Sequence, residues 1–82
     1  MSVLAFGIKP LAVEVNCTNT SLEVVLADGR KISVPLIWFP MLHKATTEQK
    51  NNLSLIGEGV GIHWKDIDED IYIERLMRFS KF

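Results

Sequence analysis

At 82 residues, 48% of them apolar and 23% charged, the chain has the balance of one packed globular domain (residues 1–82) rather than of a disordered tail. Nine basic against ten acidic residues leave a net charge of −1, which disfavours nucleic-acid binding, because proteins that grip phosphate backbones carry a clustered basic excess. One cysteine excludes an internal disulfide and no apolar run approaches the ~20 residues of a membrane-spanning helix.

The apolar stretch Met1 to Ile8 is too short for a signal-peptide core and leads straight to Lys9-Pro10. The expectation is a cytoplasmic domain with no membrane association. A core this small supplies little stability, so a homodimer is expected.

Leu11, Val13 and Val15 alternate with Ala12 and Glu14, and the same two-residue period runs through Leu22, Val24 and Leu26 and through Ile32, Val34 and Leu36. Each run predicts a strand with one wet face. A two-residue turn at Asp28-Gly29 would mix the faces of the second and third strands. A three-residue loop, Ala27-Asp28-Gly29, instead pairs Val24 with Ile32 and Leu22 with Val34 and gives the left-handed position to glycine. Face-matching through Cys17-Thr18-Asn19-Thr20 sets Val15 against Leu22 and Val13 against Val24. The result is a three-stranded antiparallel meander, which Pro35 ends because proline offers no amide hydrogen.

Pro40 opens a short helical turn through Leu42 to Lys44 in the apolar corner Trp38-Phe39-Pro40-Met41-Leu42. Thr46 and Gln49 have capping-box spacing, which predicts a helix from Thr47 to about Asn52, with a continuation to Leu55 as the alternative to a strand there. Leu53 to Ile56 and Gly61 to Trp64 read as two strands of a small hairpin that pairs Leu55 with Ile62 and Leu53 with Trp64. Ile67 to Ile71 is then an acidic loop. Ile73, Leu76, Met77 and Phe79 fall at helical spacing before Ser80, which predicts a closing helix. The fold class is α+β: a three-stranded antiparallel meander, short helices, a second small hairpin and a closing C-terminal helix.

Gly57-Glu58-Gly59-Val60-Gly61 has its third glycine one residue early for the dinucleotide fingerprint and is followed by a strand, so it reads as a flexible hairpin turn. Asp66, Asp68 and Asp70 copy the opening of a calcium loop, but Ile71 and Met77 stand where that loop needs glycine and glutamate. His63 with Asp66, Asp68 or Asp70 is the one acid–base grouping, with His63 pointing away from the face of Ile62 and Trp64. His43 has no second ligand at metal spacing. Cys17 reads as incidental in a polar turn, with no positive charge or helix N-terminus to activate it. No catalytic, cofactor or metal set emerges. Trp38, Phe39 and Trp64 are the large anchors, and core packing is the expectation for Trp38, whose loss should then lower the melting temperature strongly.

In combination, Asp28-Gly29, Val34-Pro35-Leu36, Trp38-Phe39-Pro40-Met41-Leu42, Ala45 to Lys50, Gly59-Val60-Gly61-Ile62-His63-Trp64 and Asp68-Glu69-Asp70-Ile71 resemble a bacterial family catalogued as domain-of-unknown-function family 2442. The resemblance runs from about Leu11 to Met77. Lys50 stands where that family commonly has arginine, Thr47 and Lys65 where it has proline, and Arg75 where it often has glycine. The resemblance implies a small cytoplasmic α+β domain, found alone or fused to a helix-turn-helix domain, whose stand-alone members look similar to antitoxin-like partners of small neighbouring proteins. This chain has no room for the helix-turn-helix.

The leading functional expectation is a non-enzymatic protein-interaction module that uses an edge strand, Leu11 to Val15 or Ile62 to Trp64, or a surface drawn from Trp38, Phe39, His63, Trp64, Asp66, Asp68, Glu69 and Asp70. A regulatory nucleic-acid-associated domain and a small enzyme using His63 with nearby carboxylates are the alternatives.

Overall fold

The computed structural model describes residues 10–79. Strands β1 (Ala12–Cys17), β2 (Ser21–Leu26) and β3 (Lys31–Pro35) form one antiparallel sheet in chain order. A 3₁₀ turn (Leu36–Trp38), α1 (Pro40–His43) and α2 (Thr47–Asn51) lead to a second antiparallel sheet of β4 (Leu53–Ile56), β5 (Gly61–Trp64) and β6 (Glu69–Tyr72), and α3 (Ile73–Phe79) follows β6 directly. This is an α+β fold of two three-stranded sheets. The hairpin expected from the sequence gains a third strand, because Ile71 and Ile73 continue a two-residue inward alternation through what reads as an acidic loop. The Met1 to Ile8 stretch and the expected helix end at Ser80 lie outside the described residues.

The β2–β3 loop follows the expected register, with Val24 opposite Ile32 and Leu22 opposite Val34. Gly29 takes φ 95° there, and its N–H donates to the Leu26 carbonyl at 2.9 Å. The β1–β2 register differs from expectation: Val15 opposes Val24 and Cys17 opposes Leu22. The turn causes the difference: it is tighter than expected, with the Thr18 amide donating to the Ser21 carbonyl at 2.8 Å, which moves the pairing by two residues. A bulge between Ala12 and Glu14 then resets the alternation at the far end of β1. Val13 is therefore 58% exposed, while Ala12 and Cys17 are buried. Cys17 ends a strand inside the core and is not part of the polar turn. That turn is tightened by the Thr18 hydroxyl, which accepts from the Ser21 amide at 2.9 Å.

Thr46 caps α2 through the expected box, its hydroxyl accepting from Gln49 N–H at 3.1 Å while Gln49 Oε1 accepts from Thr46 N–H at 2.9 Å. A helix of five residues cannot satisfy its own last carbonyls. The fully buried Trp64 supplies one partner: its indole N–H donates to the Lys50 carbonyl at 3.0 Å and ties β5 to α2. The first sheet contributes Leu22, Val24, Ile32 and Val34 to one apolar cluster, the second contributes Ile62, Trp64 and Ile71, and α3 adds Ile73 and Leu76.

The glycine turn between β4 and β5 joins the sheets. Gly59 takes φ 112°, and its carbonyl accepts from the Ala12 amide at 2.8 Å. A side chain there would run into the Ala12 carbonyl oxygen and lie 3.0 Å from the Ala12 nitrogen. The next residue, Val60, accepts from the Ile73 amide at 2.9 Å. A turn that reads as flexible is thus bonded to both β1 and the start of α3. Strand β5 lies at the centre of its sheet, so Ile62 to Trp64 offers no edge to a partner; β1 is an edge, but the amide of its first residue is already taken by Gly59.

Candidate functional site

The registers of the second sheet place Ser54 opposite His63 and His63 opposite Asp70. These three side chains make a row across β4, β5 and β6, on the face away from the buried Ile62 and Trp64. His63 Nδ1 and Asp70 Oδ1 are 2.5 Å apart. A carboxylate can only accept, so Nδ1 is the donor of this pair.

One pair further along this face, Gly61 stands between Ile56 and Tyr72. A Cβ on Gly61 would lie 3.0 Å from Tyr72 Cδ2 and 3.1 Å from Ile56 Cδ1, so both side chains close over the glycine. The face combines an imidazole, a hydroxyl, a carboxylate and a half-exposed phenol ring.

Serine, histidine and aspartate in line are the residue types of an acid–base nucleophile. Here the histidine and aspartate side chains are 37% and 49% exposed, and no hydrogen bond joins Ser54 to His63. Nucleophile activation needs that bond, and acyl chemistry needs amide donors aimed at a developing oxyanion. What the geometry does accomplish is to pin the central strand to β6 by a cross-strand polar pair.

The other acidic candidates do not join His63. Asp66 accepts from Asn52 Nδ2 at 3.0 Å, Asp68 takes φ 51° in the β5–β6 turn, and Glu69 stands half-buried opposite Trp64. Among the described residues, no group of three or more His, Cys, Asp or Glu side chains is placed to hold a metal ion. Burial pushes the Cys17 thiol above its ordinary pKa, against an opposing pull from Lys50.

The aromatic candidates separate. Phe39 and Trp64 are core residues and belong to no surface, whereas Trp38 is 46% exposed and corrects the expectation that it packs inside. The cause is a period of three through the 3₁₀ turn and α1, which sends Leu36, Phe39 and Leu42 inward. Ile37 and Met41 then face outward with Trp38, 67% and 46% exposed. The sequence reading does not place these two, or Ser54 and Tyr72, in a site. The inward Leu36, Phe39 and Leu42 spacing was the signal for the first pair.

Two meanders on one core, joined by short helices, define a small α+β domain. A protein of unknown function from Rhodospirillum rubrum ATCC 11170 has the same fold: its crystal structure matches with a TM-score of 0.75 at 24% identity, over 88% of this chain and 89% of that one. Residues 12–82 match the family described as "Protein of unknown function (DUF2442)", and the chain belongs to that family. None of the curated proteins compared matches it.

Proposed function

We propose that this domain is a non-enzymatic protein-interaction module whose contact surface is the corner of Ile37, Trp38 and Met41. The observation that carries the reading is that the corner is apolar on both sides. Leu36, Phe39 and Leu42 already fill the core, so core packing does not require large apolar residues at the three outward positions. Solvent-facing positions of helical turns are ordinarily polar, and contiguous apolar exposure marks contact surfaces. Tryptophan and methionine are also the side chains enriched where proteins meet. From residue 31 to residue 47 the sequence has no carboxylate, so an apolar partner would desolvate no acidic group of this segment.

The partner is a second copy of the chain or, as the resemblance of stand-alone family members suggests, a small neighbouring protein for which this domain is the antitoxin-like, cytoplasmic counterpart. The test combines light scattering of the purified protein with capture of its genomic neighbour, using the parent, Trp38→Ala and the double variant I37K/M41K. Both variants are expected to melt close to the parent and to lose the dimer or the neighbour. A parent that is strictly monomeric and captures no neighbour refutes the reading, as do variants that bind unchanged.

A further inference from the structure

We propose that the groove between Pro10, Val60, Tyr72 and Glu74 receives an arginine side chain of a partner protein. The site is separate from the Ile37–Trp38–Met41 corner and does not depend on it. Its walls come from three places in the chain that the fold brings together. Val60 belongs to the glycine turn, whose carbonyl holds the Ile73 amide at 2.9 Å. That bond sets the end of β6 and the first turn of α3 beside the turn, so Tyr72 and Glu74 line the groove with Val60, and Pro10 completes it. The absence of a side chain on Gly61 lets the Tyr72 ring lie across the sheet, which steadies the ring while leaving it 48% exposed.

The chemistry selects the occupant. The groove measures about 230 Å³, below the ~300–1,000 Å³ of sites that hold drug-sized ligands, and so suits a single side chain. Two walls are aliphatic, one is an electron-rich ring and one is a carboxylate. An anion would meet Glu74, and the described lining residues include no cation to offset it. An aliphatic side chain would strip water from that carboxylate and return nothing. A guanidinium on a hydrocarbon stem matches each wall: the stem lies against Pro10 and Val60, the planar cation stacks on Tyr72, and its N–H groups donate to Glu74. The carboxylate is available for this role, since no ion pair or hydrogen bond to another described residue engages Glu74.

The test is titration of the isotope-labelled protein with acetyl-arginine-amide, followed by amide shifts, with acetyl-citrulline-amide as the neutral near-isostere and acetyl-leucine-amide as the aliphatic competitor. A single side chain should bind with a dissociation constant on the order of 10 mM. Saturable shifts at Val60, Tyr72 and Glu74 are expected with arginine, reduced about tenfold or more in affinity with citrulline and in the E74Q variant, which is expected to keep the parent's spectrum elsewhere. The proposal is overturned by no saturable shift at these residues, by citrulline or leucine binding as well as arginine, or by an unchanged arginine response in E74Q.

Discussion

Replacing Gly59 with alanine tests the joint between the two sheets. At φ 112° an L side chain is strained, at a cost of ~1–3 kcal/mol. The new Cβ would also meet the Ala12 carbonyl oxygen, a backbone atom that cannot swing away as a flexible side chain does. Relief requires β1 to withdraw, and the hydrogen bond from the Ala12 amide to the Gly59 carbonyl is lost with it, a further ~1 kcal/mol. The expected destabilisation is about 2–4 kcal/mol, a large share of the ~4–12 kcal/mol available to a chain of this size. Gly57→Ala is the control: φ 57° lies in the ordinary left-handed region and the nearest atom to a Cβ, Val60 Cγ2, is 3.8 Å away, so only ~1 kcal/mol of backbone preference is lost. Urea unfolding followed by tryptophan fluorescence reads both. The reasoning fails if the two variants unfold within ~0.5 kcal/mol of each other.

Trp64→Phe should cost about 2–4 kcal/mol, because it opens a void in the core and leaves the Lys50 carbonyl at the end of α2 without its donor; a midpoint near the parent's would show that the indole bond does not hold α2. The Cys17 thiol is buried and its pKa is raised chiefly by that burial, so the native protein should resist a thiol reagent near neutral pH and react once unfolded, and fast native labelling would contradict this. The Asp28 pKa is held below its ordinary value, first by the Arg30 amide at 3.0 Å and also by the Arg30 side chain at 2.8 Å. Its stabilising effect is therefore present above the unfolded carboxylate pKa and is lost as pH falls through the lower folded value. The stability gap between parent and Asp28→Asn should close on acidification, and a gap that widens below about pH 4 would reverse the sign.

Strand existence was legible wherever the two-residue period ran unbroken, and the β2–β3 loop was legible in detail because only a three-residue connection keeps both apolar sets on one face. The β1–β2 register was not, since the polar run Cys17 to Thr20 does not say how tightly the chain turns, and the bulge at Val13 carries no composition of its own to mark where the alternation slips. Four carboxylates between Asp66 and Asp70 concealed β6, although Ile71 and Ile73 alternate through it. That omission had a consequence for the candidate site: the β4–β5 pairing already set Ser54 opposite His63, but the partner of His63 was undetermined without β6. Trp38 and Phe39 are adjacent and similar in chemistry, and only the 3₁₀ geometry decides which one faces the solvent.

In both sheets every strand pairs with its neighbour in the chain. Forming either sheet alone therefore closes only short loops, the condition associated with fast folding. The bond from Ala12 to Gly59 and the packing of α3 on β3 span long stretches of sequence, and their entropy of closure falls due only when the two sheets meet. Contacts made after the rate-limiting barrier govern how often a native protein opens rather than how quickly it forms. If the bond from Ala12 to Gly59 forms after that barrier, Gly59→Ala speeds unfolding, shortens survival against proteases that cleave only what has come open, and leaves the folding rate unchanged, a division that the two arms of a urea chevron read directly.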